Sequence, residues 1–110
     1  MANNSYVTIC PVEDIAEGQR EVFDLNGRWV AIFCVSGRYY AIEDVCTHDG
    51  QTLTQDRYGN DVPLEGYEIA CPRHGARFDI RTGAVLTPPA LQNVRRYEVR
   101  VHEGQIELLV

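Results

Sequence analysis

Two short segments, Cys46-Thr47-His48 and Cys71-Pro72-Arg73-His74, constrain this chain more than anything else in it. Each offers one soft thiolate and one imidazole, donor types that suit transition metals rather than magnesium or calcium. Glycine closes both, as CTHDG (Cys46–Gly50) and CPRHG (Cys71–Gly75). Each therefore reads as a tight loop whose backbone comes close to a compact inorganic centre. Two such loops, with residues 49–70 between their donors, imply a split site that only a fold can assemble.

The 110 residues, 45% of them hydrophobic, hold one modest core, and a second domain has no room, so a single domain over 1–110 is expected. Ten basic against sixteen acidic side chains leave a formal charge of -6. The basic residues form no stripe of the kind that phosphate backbones require, so nucleic acid is not an expected partner. The start, MANNSYVTICP, has neither the basic region nor the apolar run of a signal peptide. No segment reaches the ~20 apolar residues of a membrane span, and the expectation is a soluble cytoplasmic protein. Cys10 and Cys34 lie in the apolar runs YVTIC and WVAIFCV and are expected as buried thiols rather than a disulfide.

Helical periodicity is absent, and turn signals recur. Asn26-Gly27 between Arg20–Leu25 and Trp29–Val35 is a strong hairpin signal, and Ser36-Gly37 leads into Arg38–Glu43. Further strands are expected at Tyr6–Cys10, Tyr67–Ala70 and Phe78–Ile80, with one helical turn near Val12–Ala16 and turns at 58–61 and 64–66. Pro88-Pro89 bars a central strand and reads as a rigid surface crossing. At the end, Tyr97–His102 alternates apolar and polar side chains before Glu103-Gly104 returns the chain into Gln105–Val110. The result is an all-β chain of roughly eight to ten short strands.

Zinc and iron–sulfur are the candidates for two Cys and two His. Zinc fingers usually pair like with like, Cys with Cys and His with His. Here both pairs are mixed, which a single zinc can accept but which suits a binuclear centre better, with two thiolates on one iron and two imidazoles on the other. His102, among polar residues on a strand, is expected to be solvated.

The pattern Cys-x-His, spacer, Cys-x2-His-Gly resembles that of the Rieske family, and the likeness runs from Tyr6 to Val110 through CTHDG, CPRHGARFD, Thr82-Gly83 and Pro88-Pro89. The resemblance implies the Rieske fold, small antiparallel sheets with a two-loop cluster-binding part at about 44–90, and one [2Fe-2S] cluster. By the same likeness, Cys46 and Cys71 bind the inner iron, and His48 and His74 bind the outer iron through Nδ1. The spacer is longer than usual, and Asp56–Glu65 reads as an inserted or extended hairpin. High-potential members carry an extra cysteine in each loop, joined as a disulfide, and two hydroxyls aimed at sulfur. Gln51, Arg73, Ala76 and Phe78 stand at those positions here. With fewer donors to sulfur, the potential is expected near the low end of the Rieske range, about -150 mV.

No nucleotide-binding glycine motif is present, and neither Ser5 nor Ser36 has a suggested His-Asp arrangement, so no enzyme activity is expected. The implied function is one-electron transfer from a flavin-dependent reductase to a terminal oxygenase. The alternatives are a carrier for another pathway, such as nitrite reduction or iron–sulfur assembly, and a zinc-stabilised binding module. His48 and His74 are the expected contact edge, framed by Leu53 and the Pro88-Pro89 loop. The acidic pairs Glu13-Asp14 and Glu43-Asp44 read as solvated groups, and Glu43-Asp44, beside the first loop, is in addition a candidate patch for steering a basic partner.

Overall fold

The structure, a computed structural model, describes residues 5–110; residues 1–4 of the expected 1–110 domain lie outside the described residues. Eleven strands follow one another among the described residues: β1 (Tyr6–Pro11), β2 (Arg20–Leu25), β3 (Arg28–Val35), β4 (Arg38–Glu43), β5 (Leu64–Glu65), β6 (Glu68–Ala70), β7 (Arg77–Asp79), β8 (Val85–Thr87), β9 (Arg96–Tyr97), β10 (Val99–His102) and β11 (Gln105–Leu109). A single 3-10 turn at Val12–Asp14 matches the expected helical turn. The strands form three antiparallel sheets, ordered β1-β11-β10, β2-β3-β4-β9 and β5-β6-β7-β8.

The all-β reading holds, and the expected first-half strands hold to within a residue at either end. Asn26-Gly27 closes the β2–β3 hairpin with φ of 53° and 86°, the turn geometry that matches strand twist, and the Asp24 carboxylate accepts the Gly27 N–H at 2.8 Å. Two expectations are corrected. Leu64-Glu65, read as a turn, is strand β5, paired with β6, and the turn falls at Gly66-Tyr67. The continuous strand Tyr97–His102 is split at Glu98: β9 pairs with β4, while β10 pairs with β11. The chain changes sheets there because the Tyr97 ring is buried in the core, while the Glu98 carbonyl accepts the Leu109 N–H at 2.9 Å. These short pieces raise the strand number above the eight to ten expected.

β3 explains the layering. Successive side chains of a strand point to opposite faces, and both faces of β3 are covered. Val30, Ile32 and Cys34 enter one core with Cys10, Ile15, Ala41, Tyr97, Ile106 and Leu108. Ala31 and Phe33 enter a second core with Ile42, Leu53, Ile69, Phe78 and Ile80. Within the apolar run WVAIFCV, Val30–Cys34 are therefore buried on both sides of the strand, while Trp29 is exposed. Complete burial of Phe33 or Phe78 stabilises the fold by about 1.5–3 kcal/mol each. Cys10 and Cys34 are buried free thiols, as expected. The second core also contains Cys46 and Cys71, so the sheet that positions the metal loops shares its packing with them.

Candidate metal centre

The first loop leaves the end of β4, and the second joins β6 to β7. Their backbones repeat one pattern. The Cys46 N–H donates to the Gln51 carbonyl at 2.7 Å, and the Gly50 N–H donates to the Cys46 carbonyl at 2.7 Å. In the second loop the Cys71 N–H donates to the Ala76 carbonyl at 2.7 Å, and the Gly75 N–H to the Cys71 carbonyl at 2.9 Å. Gly50 and Gly75 adopt φ of 76° and 80°, in the left-handed region that glycine reaches without a Cβ penalty.

The four residues singled out in the sequence fall at the tip of these loops. Ligand atoms of Cys46, Cys71 and Asp49 lie within 4.8 Å of one another, and so do those of His48, His74 and Asp49. The thiols are buried against Ala76, Phe78 and Leu53, whereas the imidazoles are exposed, their ring centroids 5.1 Å apart and their planes at 87°. Soft donors below and imidazoles above form a segregated donor set, which fits a centre with two unlike metal positions better than a single tetrahedral ion. Burial pushes the Cys46 thiol up from its ordinary value, opposed by N–H groups of His48 and Asp49 that point at its sulfur and favour the thiolate.

Asp49 is the residue the sequence reading missed. It accepts a forked pair of hydrogen bonds from the Arg73 guanidinium, one of them from Nη2 at 3.0 Å, and the Gln51 N–H at 3.0 Å. Arg73 thereby holds the Asp49 carboxyl down at about 2. One signal was available: laid over CPRHG, CTHDG puts His48 opposite Arg73 and Asp49 opposite His74, so the two charged residues occupy exchanged slots.

The Pro88-Pro89 segment, whose peptide is cis, closes over both loops. The Thr47 hydroxyl donates to the Gln92 carbonyl at 2.6 Å, and the Thr87 hydroxyl to the Gly75 carbonyl at 3.4 Å. Two parts of the expected contact edge are corrected. Leu53 is completely buried, and the exposed apolar side chains on the proline segment are Leu86 and Leu91, the latter 87% exposed. Asp44 is buried as well, because it accepts hydrogen bonds from the Leu53 and Thr54 N–H groups and from the Thr54 hydroxyl. Glu43 faces Arg28 at 3.6 Å. Asp44 is thus a structural acceptor rather than a solvated or steering group. His102 is exposed, as expected. In the long spacer, Gln55 and Asp61 bridge to close a small hairpin capped by the Asp56 carboxylate. That hairpin lines a surface depression together with Pro72 and Arg73.

A family model described as the Rieske [2Fe-2S] domain matches residues 5–98. The chain is 39% identical over 101 residues to the ferredoxin component of the p-cumate 2,3-dioxygenase system of Pseudomonas putida, covering 91% of this chain and 81% of that one. Its fold is similar to that of the ferredoxin of carbazole 1,9a-dioxygenase from Nocardioides aromaticivorans IC177, with a TM-score of 0.79, 31% identity and coverage of 94% and 96%. It is also similar to a chain in a solved complex of reduced oxygenase and oxidised ferredoxin in carbazole 1,9a-dioxygenase, at a TM-score of 0.82, 29% identity and coverage of 97% and 94%. Paired Cys/His loops, three small antiparallel sheets and a family match over most of the sequence agree: this chain belongs to the Rieske [2Fe-2S] domain family.

Proposed function

We propose that this protein is the ferredoxin component of an aromatic-ring dioxygenase system, carrying single electrons from a reductase to a terminal oxygenase. In this reading Cys46 and Cys71 hold the inner iron and His48 and His74 the outer iron of one [2Fe-2S] cluster. The carrying part is about 44–90 of a single domain. The observation that carries the reading is the segregation of donors, with buried thiols beneath exposed imidazoles at one tip of the chain.

When bound, the group supplies a one-electron couple, and the rest of the work falls to side chains. Ala76, Phe78 and Leu53 share the buried core with the two thiols and keep water from that side, and the N–H groups of His48 and Asp49 aimed at the Cys46 sulfur offset the cost of holding a thiolate there. His48 and His74 present ring edges to solvent, so a partner can come within tunnelling distance without the chain opening. Leu91 and Leu86 are exposed on the segment tied to both loops, and interfaces between transient redox partners are small, below about 1,200 Å². Relatives named as ferredoxin components of dioxygenase systems support a carrier rather than an enzyme. Cys10 and Cys34, unpaired and outside the ligand set, suit a reducing compartment, which supports the cytoplasm.

The test starts from the purified protein. Visible absorption bands with two irons and two labile sulfides per chain are expected, and Cys71→Ser is expected to abolish both. Electron delivery is then measured by mixing with an oxygenase and a reductase of a ring-hydroxylating system, where product should form only when this protein is present. A colourless protein holding one zinc would end the proposal.

A further inference from the structure

The two loops share one backbone frame but fill it differently. In the third slot stand His48 and Arg73, and in the fourth Asp49 and His74, so each loop has one imidazole and one charged side chain in exchanged order. The charged pair meets across the gap. Arg73 donates through Nε and Nη2 to the two oxygens of Asp49, and Nη2 also reaches the Thr52 carbonyl at 3.0 Å. Among the described residues, every hydrogen bond from a nitrogen or oxygen donor that links 46–52 to 71–76 is made by Arg73. The two side chains are only 22% and 15% exposed, so solvent screens this pair less than an ordinary surface ion pair. A forked guanidinium–carboxylate contact also fixes orientation, which a single hydrogen bond does not.

The pair stands beside all four donors. Asp49 has a carboxylate oxygen within 4.8 Å of a ligand atom of each thiol and each imidazole, and the Arg73 guanidinium is bonded to that carboxylate. The fold thus places a fixed positive and a fixed negative charge at the rim of the site, and they cancel only while both are present. Unpaired, either one would act on an electron arriving there.

We propose that Asp49 and Arg73 are a positioning pair: a non-covalent tie that holds the two loops at metal-binding separation and keeps the local charge balanced. This inference rests on the reading of Cys46, His48, Cys71 and His74 as ligands. Neither Asp49 nor Arg73 is a ligand in it.

The test uses the cluster-loaded protein and the variants Arg73→Gln, Asp49→Asn, their double and Arg73→Lys. Each is challenged with an iron chelator while bleaching of the visible bands is followed. Either single neutral variant is expected to bleach about tenfold faster than the parent. The double should bleach no faster than the worse single, because the tie is already broken. Arg73→Lys, which keeps the charge and loses the fork, should fall in between and serves where a neutral variant fails to fold. The midpoint potential supplies a readout that loosened loops alone would not give: downward for Arg73→Gln, upward for Asp49→Asn and intermediate for the double. Parent-like bleaching, additive losses or shifts of one sign in both singles would overturn the tie alone. A parent without iron would overturn the ligand reading and the tie together.

Discussion

At the level of single residues, neighbours in sequence take unrelated roles. Glu43 and Asp44 look alike as a pair of acids, yet one faces Arg28 at the surface and the other is buried. Asp44 accepts from the Leu53 N–H at 2.8 Å, the Thr54 N–H at 2.9 Å and the Thr54 hydroxyl at 2.6 Å. It thus ties the root of the first loop to the chain that leaves it. Removing a buried acceptor orphans those donors, and hydrogen bonds to a charged group contribute about 1.5–3 kcal/mol each before relaxation. Asp44→Ala is therefore expected to lower stability by roughly 3 kcal/mol, and Asp44→Asn by less. Urea unfolding followed by Trp29 fluorescence measures both. Nothing in the acidic pair itself distinguishes the buried member, because burial here depends on where residues 53 and 54 return.

Among the elements, the β7–β8 hairpin supports the second loop, and its turn leaves no freedom of choice at one position. Gly83 has φ of 78°, and a side chain there would collide with the Val94 carbonyl, which lies over the turn. The Val94 N–H donates to the Gly83 carbonyl at 2.9 Å, so this contact also anchors the far end of the proline segment. Gly83→Ala combines left-handed strain of about 1–2 kcal/mol with overpacking of about 1–3 kcal/mol. The expected loss is near 3 kcal/mol, measurable as a lowered unfolding midpoint.

The same turn carries a pH dependence. The Arg81 side chain, 2.9 Å from Asp79, holds the Asp79 carboxyl below its ordinary value, and the Arg81 N–H on Oδ1 adds to this. A depressed carboxyl contributes stability that is complete above its unfolded value, near 3.9, and is lost as pH falls through the lower folded one. Between neutral pH and pH 3, thermal unfolding of the parent should therefore fall more steeply than that of Asp79→Asn. Parallel curves would remove Asp79 from the acid response.

For the whole molecule, two cores on either face of β3 let a short chain bury its thiols at the end of one core while exposing its imidazoles. No hydroxyl is offered to those sulfurs from the second loop, where Ala76 and Phe78 are both completely buried. With few donors to stabilise the more negative reduced state, the midpoint is expected below about 0 mV, toward the low end of the Rieske range. Redox titration of the loaded protein gives the value, and a result above about +200 mV would contradict this account of the sulfur environment.

Much of this was legible locally. The all-β class, the early hairpins and the residues that meet at the site follow from alternation, turn residues and paired donors, whose effects act over a few neighbours. Three features were not. The break at Glu98 depends on two sheets competing for one strand, the burial of Leu53 and Asp44 on how the long spacer folds back, and the meeting of Asp49 with Arg73 on how far apart the two loops lie. The sequence by itself determined which donors exist and that two similar loops would present them. Tertiary structure alone decided their separation, their unequal exposure and the charges beside them, because those depend on packing between segments far apart in the chain, where no local preference reaches.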